Sequence, residues 1–318
     1  MFLFVTSGVQ SLNSVASRIA PVLLGQRETT VIAEKGPIVE NQTSNRLQEL
    51  IEERFGGAPE SGVRTKCSGL LEKLAERGSC RSFSSDAVSL ADIERLCALA
   101  LASPTKSDLQ QRDIVIVTDS AMQGQMAQLV ATQEWIASAP VLLVFCGNNR
   151  RQRFLHEWKS VPFANDHLDA FFNATVDAAI ALATFITAAE AVGFGCCPIS
   201  AVRNEAKAIS EMLGLPDHVF PVAGLAVGIP AKKPEISKRL PLNVTLHRNQ
   251  YKEAGLRETM QAYSKKRAQA QPYPQQRLSK ELNHAEEYDW IEDKVRQFSR
   301  KERAEFGRFI RGIGFSLT

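Results

Sequence analysis

Arg77 and Arg81 bracket Ser79 at i, i+4 spacing in ERGSCRSF, residues 76–83. Two guanidinium forks and a hydroxyl could hold a phosphate dianion through charge-assisted hydrogen bonds; a solvated arginine pair is the plainer reading. A second stretch, ALASPTKSDLQQRDIVIV at 100–117, leaves a helix at a proline, crosses a polar loop and enters an apolar run. Its Ser103, Thr105, Ser107 and Gln110 suit the polar edge of a flat ligand, and taken alone they also read as a connector. In a third, AVGFGCCPIS followed by AVRN at 191–204, Gly193 and Gly195 allow close backbone approach and the next helix offers free N–H groups at its start. In SKRLP at 237–241, Arg239 could add another phosphate contact.

Other chemistry has no foothold. There is no Gly-x-Ser-x-Gly elbow, no phosphate-binding loop of the Walker type and no His-Glu-x-x-His. The six cysteines make no Cys-x-x-Cys pair, and the five histidines show no metal-ligand spacing. A chain without its own acid, base or metal signature often borrows chemistry from an organic cofactor, so no catalytic residue and no metal ligand is named. Cys97 and Cys146 lie in apolar runs as small hydrophobes. The vicinal pair Cys196–Cys197 reads as reduced thiols of a cytoplasmic protein, with redox activity as the alternative. A net charge of +3 over 318 residues gives no concentrated basic face for nucleic acid or an anionic membrane.

The elements that must position these residues follow from hydrophobic periodicity. Residues 1–66 form a poorly patterned N-terminal extension with one helix at about 45–55, where Leu47, Leu50, Ile51 and Phe55 share a face before Gly56–Gly57. A short helix carries Leu70, Leu71 and Leu74 and stops at Gly78. From Ser89, a capping box with Asp92 opens a helix with a core face of Ile93, Leu96, Cys97, Ala100 and Leu101. IVIV at 114–117, VLLVF at 141–145 and VAGLAVGI at 222–229 read as strands covered on both faces. AAIALATFITAA at 178–189 is too short to span a bilayer and reads as a buried core helix, and Val202–Leu213 as another helix. Beyond Tyr251 the chain turns polar as an arm, then recovers helical pattern with Ile291, Val295 and Phe298 and a Ser299/Glu302 capping box before Phe306, Phe309, Ile310 and Ile313. Strands mixed with many helices favour an α/β or α+β sandwich.

In collinear order from about Leu70 to the C-terminus, these stretches resemble the FMN-dependent nitroreductase family, in the branch of oxygen-insensitive NADPH nitroreductases and flavin reductases. RGSCRSF, SPTKSDLQ, EAVGFGCCPISAVRN and LGLPDHVFPVAGLAVGIP with RLP and HRNQY carry the likeness. The resemblance implies an α+β fold with a mixed sheet wrapped by helices, as an interlocked homodimer with FMN at the subunit interface. It implies an FMN-binding domain at 67–251 and a C-terminal arm with helices at 252–318 that completes the domain or dimer. NADPH or NADH would reduce the flavin, which passes electrons to a nitroaromatic, quinone or similar small acceptor; a specialised flavin reductase, a biosynthetic flavin oxidase and a non-catalytic FMN sensor are the alternatives.

By the same resemblance, Arg77, Gly78, Ser79 and Arg81 line the FMN phosphate and ribityl chain, and Thr105 and Gln133 contact the flavin. Ser200 and Ala201 place backbone beside the ring, and Arg239 supplies the second phosphate arginine. This sequence departs from the family's pattern at Gly78, where arginine is common, Ser200, where glycine is common, and Ser237, where lysine is common and Lys238 is adjacent. Asp108 replaces a common asparagine and would place an acid against the pyrimidine edge. The arm segment LNHAEEYDW at 282–290 carries Glu286, Glu287 and Asp289 where NADPH-preferring relatives hold arginines, and Arg300, Lys301 and Arg303 follow as a basic cluster in the first turn of a helix.

Overall fold

A computed structural model describes residues 42–57, 69–130 and 134–318. Two of the three apolar runs that read as strands, 141–145 and 222–229, become the central strands of one sheet. β1 (Arg112–Val117), β2 (Val141–Asn148), β3 (Gly195–Ile199) and β4 (Val219–Gly228) assemble in the order β1-β2-β4-β3, and every pairing is antiparallel. All eight residues of β2 and all ten of β4 are buried, as strands covered on both faces must be. The chain is therefore α+β, and no parallel pair of the mixed kind occurs among the described residues. β3 carries no strand signal of its own, since GCCPI holds a glycine and a proline; it sits at an edge, where proline costs no ladder bond.

Helices cover both faces. α1 (Gln42–Phe55) packs on α2 (Gly69–Glu76), burying Leu50 completely. α3 (Leu90–Leu101) starts at Ser89, whose hydroxyl accepts the Asp92 N–H, and buries Ile93, Leu96, Cys97 and Ala100 against the sheet. Leu101 does not join them: the last turn swings it outward to 44% exposure. α4 (Ser120–Leu129) and α7 (Ala206–Met212) cover the opposite face, with α5 (Arg150–Trp158) following β2. The expected Val202–Leu213 helix is split, a 3-10 turn at Ser200–Arg203 preceding α7.

α6 runs from Leu168 to Ala191, twice the length of its apolar run and long and apolar enough to cross a bilayer. It is nonetheless a core helix of the sheet, burying Ala174, Ala178, Ala181, Phe185 and Ala189. The opposite side presents Phe172, Val176, Ala179 and Ala183 to solvent at i, i+4, i+7, i+11, one apolar stripe.

Downstream lie α8 (Leu242–Thr245), α9 (Leu256–Ala270), α10 (Ser279–Leu282), α11 (Trp290–Phe298) and α12 (Phe306–Gly312). α9 and α11 join through Tyr263 and Trp290, edge to face at 5.3 Å. The expected apolar face of α11 is overturned, because Val295 and Phe298 are 60% and 83% exposed. The helix instead buries Asp293, held by Arg277, Lys294 and Tyr288, and Arg296, which donates to Glu292 and to two carbonyls. Charged groups this well satisfied can turn inward and displace an apolar face. The Ser299/Glu302 box is also absent. Ser299 donates to the Arg296 carbonyl to close α11, and α12 begins only at Phe306. Ile310 and Phe315 then pack beside Phe220, as the aromatic pattern of the tail requires.

Candidate functional site

Arg77 leaves the end of α2 and meets Glu190 in the last turn of α6. Nε lies 3.0 and 3.2 Å from the two carboxylate oxygens and Nη2 lies 2.9 Å from one of them. Burial alone would lower the Arg77 pKa, but the hydrogen-bonded Glu190 carboxylate more than offsets it and the guanidinium is held charged. Its fork faces a protein acid, so it adds little free capacity for an outside anion.

The segment that follows runs beside the edge strand. Cys80 N–H donates to the Cys196 carbonyl at 3.0 Å, Phe83 bridges to Pro230, and Ser84 N–H donates to Ile229. Arg81 and Ser79 lie close enough to oppose the rise that burial imposes on the Cys197 thiol. Arg81 itself is exposed, and its guanidinium has no hydrogen bond or ion pair among the described residues. Gly78 is a packing position: a Cβ there would fall 2.3 Å from the Glu235 carbonyl and 2.9 Å from Pro234. No side chain fits, so the packing itself calls for glycine there.

Arg239 reaches the same region from the other side. Its backbone N–H donates to the Arg54 carbonyl at 2.8 Å, while its exposed side chain has no polar partner among the described residues. Lys238 is spent, donating to the Glu53 carbonyl at 2.7 Å. Arg54 lies between the two arginine segments, and burial followed by the charges of Arg239 and Arg77 lowers its pKa. Clefts open on either side of this junction, one against Arg77, Gly78 and Phe194, the other against Arg239, Phe55 and Tyr263.

The remaining expected contacts lie elsewhere. Thr105 is half-buried before a 3-10 turn at Lys106–Asp108, and Ser107, Asp108 and Gln110 all adopt positive φ of 48–55°. Asp177, fully buried in α6, holds this loop by accepting the N–H groups of Lys106 at 3.0 Å and Gln111 at 2.9 Å. Asp108 is exposed and accepts from Gln110. Asp177 and Glu190 are 13 residues apart on one helix, about 20 Å along its axis, so the Thr105 loop lies near the middle of α6 and Arg77 at its C-terminal end within one chain. Ser200 and Ala201 follow β3, where Ser200 Oγ accepts from Arg303 Nη2 at 3.1 Å. Gln133 lies outside the described residues.

Arg54, Glu190 and Asp177 were not foreseen. Lone acids inside the apolar run FFNATVDAAIALATFITAAEAV were a usable signal, because a buried carboxylate has to have a partner. The vicinal thiols occupy successive strand positions and so point to opposite sheet faces. Burial raises the pKa of both, and raises Cys97 to about 11 and Cys146 to about 12, which keeps these groups protonated and unreactive. Among the described residues no group of three His, Cys, Asp or Glu side chains could hold a metal ion.

Residues 74–229 match the nitroreductase family, and residues 237–318 match the C-terminal domain of that family. The chain is similar to the NADPH-flavin oxidoreductase of Vibrio harveyi, 34% identical over 61% of this chain and 81% of that protein. It is 28% identical to the NAD(P)H FMN reductase of Bacillus subtilis over 78% of this chain and 98% of the relative. Among solved structures, the NADPH:FMN oxidoreductase of Vibrio harveyi in complex with NAD+ superposes with a TM-score of 0.67 at 27% identity, covering 78% of this chain and 98% of that one.

Proposed function

The chain belongs to the nitroreductase family, and from that premise we propose that it is a homodimeric, FMN-dependent oxidoreductase using NAD(P)H to reduce small electrophilic acceptors. One observation carries the reading of the site. Two guanidiniums unspent among the described residues, Arg81 and Arg239, flank a junction where Arg54 and Arg77 add further positive charge, and among the described residues only Arg77 of those four is paired with an acid. A phosphate monoester would supply the missing anion, and the Ser79 hydroxyl adds a neutral donor. The residues present therefore fit FMN, with Arg81 and Arg239 as phosphate ligands and Gly78 giving only backbone. Arg77 acts through Glu190 as the support of this lobe.

When bound, the flavin supplies the hydride and electron chemistry. The chain's part is to anchor the phosphate, place the Thr105 loop and the Ser200–Ala201 backbone, and keep the thiols of β3 protonated. Small acceptors such as nitroaromatics and quinones fit an enzyme that contributes position rather than an acid or base.

The dimer reading rests on two features of the single chain. The Thr105 loop and the arginine lobe lie about 20 Å apart along α6, so a second copy could bring one chain's loop to the other's lobe. The stripe of Phe172, Val176, Ala179 and Ala183 offers the uncovered apolar face such a partner would bury. Residues 67–251 would hold the cofactor and 252–318 would complete the subunit, in a soluble cytoplasmic enzyme. Purified protein should be yellow, release FMN on heating and oxidise NAD(P)H steadily with menadione or a nitrofuran. Colourless protein that FMN does not reconstitute would end this reading, and bound flavin without turnover would turn it into a sensor.

A further inference from the structure

Arg54 belongs to α1, ahead of the residues that match the family, yet only 6% of it is exposed and its fork is committed on three sides. Nε and Nη2 donate to the Ala75 carbonyl at 3.0 and 2.9 Å, Nη2 also reaches the Arg77 carbonyl, and Nη1 reaches the Ser237 carbonyl at 3.3 Å. The backbone returns the connection, because Arg239 N–H donates to the Arg54 carbonyl and Lys238 Nζ to the Glu53 carbonyl. Ala75 and Arg77 lead into the arginine segment ending at Arg81, and Ser237 leads into Arg239. One residue thus ties together two segments that are distant in sequence, both of which carry an unspent guanidinium.

A guanidinium is suited to this. It is planar, permanently charged and able to satisfy several acceptors at fixed angles, whereas a lysine offers one rotating head. No carboxylate accepts a hydrogen bond from Arg54 among the described residues; Glu53 and Glu190 act on it only through space, and burial with the charges of Arg239 and Arg77 outweighs them, so its charge adds to that of its neighbours. We propose that Arg54 is a positioning residue for phosphate recognition: it fixes the separation of the Arg77–Arg81 and Ser237–Arg239 segments, making α1 part of the cofactor site. The proposal rests on the FMN reading above.

The test titrates FMN and riboflavin into the full-length apoprotein by quenching of flavin fluorescence, comparing wild type, Arg54→Met, Arg54→Lys and Arg81→Ala. The two flavins differ only in the phosphate, so loss of a phosphate cradle lowers FMN affinity alone, whereas general loosening weakens both. Arg54→Met should reduce the preference for FMN by about tenfold or more, with riboflavin affinity kept within about threefold. Arg54→Lys, which keeps the charge but not the fork, should lose an intermediate share; it decides the matter if Arg54→Met does not fold. A wild-type preference in the Arg54 variants, alongside its loss in Arg81→Ala, overturns the role of Arg54 and leaves the phosphate site standing. Wild type that does not distinguish the two flavins overturns the phosphate site and this inference with it.

Discussion

Arg77 and Glu190 face each other as fork and carboxylate at 2.9–3.2 Å, joining the end of α2 to the last turn of α6. The pair is mostly shielded, so removing one partner strands the other in a place where water reaches it poorly. Arg77→Ala should therefore destabilise the fold by about 1–3 kcal/mol in urea unfolding while changing the FMN affinity of the folded protein only slightly. Arg81→Ala should do the reverse, leaving the unfolding midpoint in place and weakening FMN by about tenfold or more. Lys238→Ala should weaken FMN less than Arg81→Ala, since its ammonium already serves the end of α1. Equal effects of Arg81→Ala and Lys238→Ala would mean that the phosphate is bound elsewhere.

Asp177 gives a second prediction. Its two oxygens satisfy two amide groups of a loop with three non-glycine residues at positive φ, a conformation that needs external support. Asp177→Ala should leave those N–H groups unpaired and cost about 2–4 kcal/mol. Asp177→Asn keeps one acceptor and should recover part of that loss. Hydrogen exchange at Lys106 and Gln111 reads the effect directly: faster exchange is expected there, with β2 and β4 unchanged. Unaltered protection of both amides would show that the loop holds its shape without the carboxylate.

What was legible in the sequence divides along physical lines. β2 and β4 announced themselves because strands buried on both faces must be continuously apolar, and α3 announced both its cap and its core stripe. β3 was hidden because an edge strand tolerates Gly195 and Pro198. α11 misled for the opposite reason, since Val295 and Phe298 mark a helical face that this single chain leaves in water while ion pairs fill the inside. The arginines of the site could be picked out by type and spacing. Their division into spent Arg77 and unspent Arg81 and Arg239 could not, because it depends on Glu190 and Arg54, which come from distant parts of the chain.

The C-terminal tail should respond to pH through His218. Burial, followed by the Arg153 charge, holds its pKa below the ordinary 6.5, while Nε2 lies 3.1 Å from the Gly314 carbonyl. A histidine with a depressed folded pKa favours the fold while neutral. Its contribution is complete above the unfolded pKa and falls away as pH drops through about 6.5 toward the folded value. Wild type should thus lose thermal stability between pH 7.5 and 5.5, and His218→Gln, which can still donate to Gly314, should lose less. Gly314 leaves no alternative packing, having φ of 96° and a Cβ position 2.4 Å from the imidazole. Identical pH profiles for wild type and His218→Gln would remove His218 from this account.

The choice of electron donor provides the sharpest test of the tail. A preference for NADPH over NADH requires cations free to meet the extra phosphate, and the two arginines of the nearby basic cluster are occupied. Arg300 pairs with Glu281, while Arg303 divides its fork between Glu302 at 3.2 Å and Ser200 at 3.1 Å. Arg303 is not on the solvated helical turn that its neighbours suggested: it has φ of 55°, lies ahead of α12, and keeps a buried Nε without a partner. Glu286 and Glu287 are exposed on the preceding arm and would repel a second phosphate, and Asp289 is taken up capping α11. Among the described residues only Lys301 of this cluster lacks an acid partner, and a single exposed ammonium contributes little once screened by salt. The expected preference for NADPH is therefore within about tenfold in kcat/KM, less than about 1.4 kcal/mol. Steady-state kinetics with both nucleotides and menadione as common acceptor measure it. Arg303→Ala should alter turnover with the two donors in parallel, since its contact is with Ser200 at the end of β3 rather than with a nucleotide phosphate. A preference above about a hundredfold that disappears in Arg303→Ala would show that the fork leaves Glu302 and Ser200 to grip the 2′-phosphate.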